Sequence, residues 1–168
     1  MYKIITISLI IVMSLFKSSF ADEKIAFIDI DKIINKSVVG KKSFKKIDDD
    51  YEKEKKKLIN LEKELVSKEE EILKQKNILS EEELKKKVVN LKKEIEIFQK
   101  KRISTNEKFN KIKLDQTNNM VQSLNIILSK FSDDNKISLV IQKKYIVIGK
   151  SGLDITDKIL EIFNKEFK

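Results

Sequence analysis

The chain contains no histidine and no cysteine. That removes His-based triads, thiol nucleophiles and the usual His/Cys zinc sites. The remaining candidates for chemistry are fragments. Gly149-Lys150-Ser151 has the ending of a phosphate-binding P-loop, but the first glycine of that motif would fall at position 144, which is Lys144. Asp48-Asp49-Asp50 lacks the alternating spacing and the glycine of a calcium loop, and between Lys45-Lys46 and Lys53 it reads as a solvated helix face. Glu69-Glu70-Glu71 has no apolar pocket to raise a carboxyl pKa for acid–base work. The expectation is a protein with no catalytic, cofactor-binding or metal site, and not an enzyme.

The elements carrying these charges are long helices. Leu79-Ser80-Glu81-Glu82-Glu83-Leu84 reads as a helix start, with Ser80 as N-cap, Glu83 at the third helical position in a capping box, and Leu79 and Leu84 spaced for a hydrophobic staple. This start divides one apparent coiled coil into two arms of similar length, a hairpin spanning residues 43–131 with its tip near 77–81. Steps of four and three from Ile47 pass through Tyr51, Glu54, Leu58, Leu61, Leu65, Lys68, Ile72, Gln75 and Leu79. The return arm repeats the spacing from Leu84 through Val88, Leu91, Ile95, Phe98, Arg102, Thr105, Phe109 and Ile112. It slips register near Gln116 before Met120, Leu124, Ile127 and Phe131. Each arm thus has one narrow apolar stripe, enough to zip it to the other. The outgoing arm, from Ile47 to Asn77, should be ~45 Å long. The gaps at Glu54, Lys68, Gln75, Arg102 and Thr105 have two readings: imperfect packing in a hairpin of modest stability, or soft points where the arm bends.

The ends, residues 22–42 and 132–168, read as a small β-rich body. Strands are expected at Lys24–Ile30, Ile137–Ile141 and Tyr145–Ile148, with a C-terminal helix opening at Asp154-Ile155-Thr156-Asp157 and presenting Ile159, Leu160, Phe163 and Phe167. The strands are apolar on both faces and need cover on both. A body of about 60 residues buries too little to be comfortable alone, so a homo-oligomer is expected. The residues expected to form its interface are Ile25, Phe27, Ile28, Leu139, Ile141, Ile146 and Ile148. The fold class is therefore mainly α with a small β-rich body (α+β): a long antiparallel coiled-coil hairpin projecting from an oligomeric β body.

The N-terminus indicates export. Met1-Tyr2-Lys3 is a basic start, Ile4 to Phe16 a short apolar run, and Ser19-Phe20-Ala21 a small-residue cleavage site, so residues 1–21 read as a signal peptide cut after Ala21. The run is too short to span a bilayer. Loss of Lys3 and Lys17 leaves 34 basic against 27 acidic residues, a net charge of +7. With 38% charged and 7% aromatic residues, the composition favours solvated helices over a large globular core. Proline is absent and the three glycines lie outside the arms, so nothing interrupts the helices. Lysine runs and a pI of 9.4 raise the question of nucleic acid, but export, interspersed glutamates and a single arginine, Arg102, argue against it.

The order of these segments resembles the Skp/OmpH family of periplasmic chaperones over essentially the whole mature chain. The specific part lies in the ends, Lys24-Ile25-Ala26-Phe27-Ile28-Asp29, Ile137-Ser138-Leu139-Val140-Ile141 and Leu153-Asp154-Ile155-Thr156-Asp157-Lys158-Ile159-Leu160; the arms are similar only in pattern. The resemblance implies a homotrimer whose three hairpins enclose a cavity and hold unfolded outer-membrane β-barrel proteins, without ATP, until they are assembled. It also implies transient contact with anionic membrane lipid or lipopolysaccharide, for which no residues here match. Apolar arm residues off the zipper, Val66, Ile97 and Ile103, are the candidate client contacts. The rival expectation is a structural coiled-coil spacer or tether of the envelope without a client.

Overall fold

The computed structural model describes residues 23–167. The expected signal peptide and its expected cut after Ala21 lie outside the described residues. The elements are β1 (Lys24–Ile28), α1 (Ile30–Lys36), α2 (Val38–Gln75), α3 (Glu81–Asn135), β2 (Ile137–Gln142) and α4 (Thr156–Glu166). β1 and β2 pair in parallel, with Ile25 opposite Leu139 and Phe27 opposite Ile141. A parallel pair needs a long crossover. Here the crossover is the hairpin itself, α2 and α3, about 57 and 83 Å long at 1.5 Å per residue.

The first strand is shorter than the sequence reading. Asp29 ends it by capping α1, its carboxylate accepting from the Lys32 amide at 2.8 Å. This short helix is missed by hydrophobic alternation, because Ile28-Asp29-Ile30 continues the strand pattern; the Asp29 cap is the signal that could have found it. α1 meets α2 at Ser37, which is fully buried and caps α2, its hydroxyl accepting from the Gly40 amide at 3.1 Å. The joint is tight. A Cβ on Gly40 would lie 1.8 Å from the Ile34 carbonyl oxygen.

The expected strand Tyr145–Ile148 is not formed. Lys143–Tyr145 is a single 3-10 turn, and the residues after it run irregularly to a second such turn at Ser151–Leu153. The outer edge of β2 stays unpaired among the described residues, but the chain turns away from it at Lys143 and is drawn across Phe27, against whose ring Gly149 packs. One side of β1 is taken by β2 and the other by Asp154 and Ile155, the Ile155 amide donating to the Phe27 carbonyl at 3.0 Å.

The core lies where the sheet meets the helices. Ala26 and Ile28 of β1, Ile33 and Ile34 of α1, Met120, Leu124 and Ile127 of α3, and Ile159 and Phe163 of α4 form one buried cluster. Thr156 joins the two ends of the chain, its hydroxyl accepting from the Asp29 amide at 2.9 Å. α3 ends at Lys136, whose left-handed backbone (φ 55°) turns the chain into β2.

At the far end the capping box is present. The Ser80 amide donates to Glu83 Oε2 at 3.1 Å and the Glu83 amide to Ser80 Oγ at 3.4 Å. The Ser80 hydroxyl, then the Ser80 backbone amide, hold the Glu83 carboxyl below its ordinary value of 4.5.

Two predictions follow from these joints. Helix propensity alone favours alanine over glycine by about 1 kcal/mol, but the overlap at Gly40 is with backbone. Gly40→Ala should therefore destabilise by about 1–3 kcal/mol, read as a lower thermal midpoint by circular dichroism; an unchanged or higher midpoint would show a looser joint. The lowered Glu83 pKa stabilises the tip above the ordinary glutamate value, and this stabilisation disappears as pH falls through the folded-state pKa. Amide exchange at Glu83 and Leu84, corrected for intrinsic rates, should lose protection on acidification, and Glu83→Gln should abolish that pH dependence.

Candidate functional site

With no constellation for chemistry in the sequence, two surfaces remain as the candidate site: the arm and the outer face of the body. The arm is built on its seam. Leu65, Leu91 and Phe98 are buried between α2 and α3, with Leu58, Leu61 and Ile72 packed against them. Closer to the body, Tyr51 meets Phe109 edge to face at 5.3 Å, and its hydroxyl donates to Asn106 Oδ1 at 2.9 Å.

Two of the five gaps in the stripe, at Lys68 and Gln75, are filled by polar pairs between the helices. Lys68 reaches Glu94 at 2.5 Å, and Lys87 donates to Gln75 Oε1 at 2.6 Å. Nearer the body, Lys113 pairs with Asp48 at 2.7 Å and Gln116 donates to Ser43 at 3.3 Å. The Glu94 hydrogen bond raises the Lys68 pKa above the usual lysine value. Glu54 instead bonds Lys57 within its own helix at 2.6 Å, and this bond, helped by the fields of Lys57, Lys108 and Lys101, lowers its pKa despite some desolvation. Arg102 is exposed. Sequence reasoning marked these positions as gaps, because a polar residue at a seam position shows its partner only once the two helices are aligned.

The body presents an apolar outer face. Ile25 and Leu139 lie side by side on it, each about half exposed, with Ile141 next to them partly buried. An open groove of about 530 Å³ continues this face, between Ile25, Phe131, Ile137 and Leu153. Val147 and Ile148 are 97% and 92% exposed. Two of the expected interface residues are used inside the chain. Ile28, 1% exposed, belongs to the core, because it points to the helices while Ile25 and Phe27 point the other way. Phe27 is covered by Ile146 and Gly149, where a glycine Cβ would come within 2.8 Å of its ring, and the Lys143 ammonium sits 5.8 Å from the ring centroid.

The fragments considered for chemistry are placed as ordinary surface. Asp50 bonds Lys53 at 3.0 Å, just as Asp48 bonds Lys113. Lys150 and Ser151 lead only into the short 3-10 turn. The three candidate contact residues, Val66, Ile97 and Ile103, are all exposed on the arm. Val66 borders a shallow depression of about 150 Å³ floored by Leu65, Ile95 and Phe98; Ile97 and Ile103 do not line it.

The family model of OmpH-like outer membrane proteins matches residues 24–163. Among solved structures, a protein from Caulobacter crescentus described as an OmpH-like outer membrane chaperone superposes with a TM-score of 0.80 at 15% identity, over 88% of each chain. At that identity the likeness is one of fold. No curated protein matches the chain. From β1 through nearly all of α4 the family model spans every element of the fold, and the chain belongs to the Skp/OmpH family of OmpH-like outer membrane proteins.

Proposed function

We propose that the protein is an ATP-independent periplasmic holdase. It binds unfolded outer-membrane β-barrel proteins between its helical arms, prevents their aggregation and delivers them for assembly. Membership of the OmpH-like family supports a chaperone role in place of an enzymatic one. The observation that carries the finer reading is the long two-helix arm, zipped along its seam yet bearing exposed aliphatic residues such as Val66 and Ile103 among charges. Such a surface makes many weak contacts and releases them without nucleotide. The working form is a homotrimer of residues 22–168, exported and cut after Ala21. Its copies meet through Ile25, Leu139 and Ile141 on the outer sheet face, joined by the exposed Ile148 of the adjoining segment. The net positive charge attracts acidic unfolded chains and, transiently, anionic lipid or lipopolysaccharide, over about 8 Å at physiological salt.

The cross-arm ties favour one rival, a stiff spacer of the envelope with no client. Native mass spectrometry of residues 22–168 separates the two, alone and after dilution of a urea-unfolded outer-membrane barrel into the sample. The holdase reading expects a trimer that gains one barrel chain. An oligomer that ignores the barrel would leave the spacer. Leu139→Asp, at a half-exposed position, should yield monomers with unchanged helicity, and an intact oligomer would exclude this face as the interface. Capture of an acidic client should weaken as salt rises; capture insensitive to salt would mean that the lysines only solvate the arms.

A further inference from the structure

The two flanks of the arm are not alike. On α2, Ile59, Val66 and Leu73 each follow a seam residue (Leu58, Leu65, Ile72) by one position, so they share one flank at seven-residue spacing. On α3, Val89 and Ile103 follow the seam positions Val88 and Arg102 in the same way. In an antiparallel pair these sets turn to the same side, which is the side of the depression shared by Glu62, Val66, Glu69, Ile95 and Gln99. All five of the off-seam residues are exposed, Val66 by 50% and Ile103 by 55%.

The opposite flank is polar. Glu71, Lys87, Asn90 and Glu94 line the depression on that side, and Asp50, Lys53, Lys57 and Lys108 line another nearer the body. Ile97 lies seven residues after Asn90 and therefore belongs to this flank, although it is 64% exposed. Exposure alone does not separate Ile97 from Val66 and Ile103; the seam does.

We propose that the flank carrying Ile59, Val66, Leu73, Val89 and Ile103 is the client-facing side of the arm, seating apolar side chains of an extended, unfolded polypeptide, while the Ile97 flank faces solvent. This rests on the holdase reading above. The spacing selects the occupant. A second helix needs apolar side chains every three or four residues, and a folded partner needs a contiguous apolar centre. This flank offers one aliphatic side chain about every 10 Å along α2, with Glu62 and Glu69 beside Val66. Islands of that kind suit a chain whose apolar residues alternate, presenting one to the same side every ~6.8 Å, as the strands of an unfolded membrane barrel do. Such a chain finds contacts in many registers, none of them tight.

The test uses residues 22–168 as wild type, as Val66→Asp/Ile103→Asp, and as Ile97→Asp, with helicity checked by circular dichroism. Binding of a urea-unfolded outer-membrane barrel is followed by fluorescence, and oligomer mass by native mass spectrometry. The double variant should bind about tenfold more weakly, whereas Ile97→Asp should stay within about twofold of wild type. The uncharged pair Val66→Ser/Ile103→Ser should keep the same order, and it serves if the aspartates disturb the helices. Equal losses from both flanks, or a double variant that binds like wild type, would overturn the assignment. A double variant that changes oligomer mass while keeping capture would also overturn it, and would make the flank a contact between copies. Failure of the wild type to bind the barrel is a separate result, and it removes the holdase reading itself.

Discussion

α3 runs without a break from the tip of the arm into the core of the body, and the rest of the architecture depends on that continuity. Leu91, Phe98 and Phe109 are buried against α2, and Met120, Leu124 and Ile127 of the same helix are buried against β1, α1 and α4. No glycine or proline falls between Glu81 and Asn135 to allow a kink. The direction in which the arm leaves the body is thus set by core packing. α2 has less hold on the body: it enters through the Ser37 joint and follows α3 outward. The register slip near Gln116 is the place where α3 exchanges one set of neighbours for the other.

Two kinds of contact hold the hairpin, and their magnitudes assign them different roles. Burying a large aliphatic or aromatic side chain contributes about 1.5–3 kcal/mol, so the cluster around Leu65, Leu91 and Phe98 supplies the adhesion. Exposed ion pairs contribute roughly 0–1 kcal/mol. Lys68–Glu94 and Lys113–Asp48 add little strength, but a shift of either helix along the seam would separate both pairs, so they discriminate between registers. A weakly held hairpin of defined register suits an arm that presents one particular flank.

The body has the opposite character, with more apolar surface than its own chain can cover. A parallel two-stranded sheet ordinarily has both faces buried. Here the helices cover the face of Ala26 and Ile28, while on the other face the 143–149 segment shields Phe27 and leaves Ile25 and Leu139 half open. Val147 and Ile148 extend from that segment almost fully exposed. A chain with so short a body leaves such surface to neighbours, which makes assembly and arm geometry one problem.

Local chemistry was legible in the sequence. The Ser80–Glu83 box, the four-three stripe of the arms, the strands around Ala26 and Val140 and the apolar side of α4 each depend on residues a few positions apart, and each is present in the fold. So was the lack of histidine and cysteine, which is a matter of residue type. Other features needed the tertiary structure, because they depend on residues distant in sequence. Ile28-Asp29-Ile30 continues a strand pattern, and the choice falls to the helix that Asp29 caps because Ile33 and Ile34 then pack against α3 and α4. Tyr145–Ile148 has the composition of a strand, but the 3-10 turn at Lys143–Tyr145 and the packing of Gly149 on Phe27 carry it across the face of β1 instead of along the edge of β2. Lys68 interrupts an apolar stripe until Glu94 is brought beside it, and Ile97 resembles Val66 until the seam assigns them to opposite flanks. Sequence spacing determined which helices and strands were available; pairing and burial across the chain decided which formed and which faces were left open.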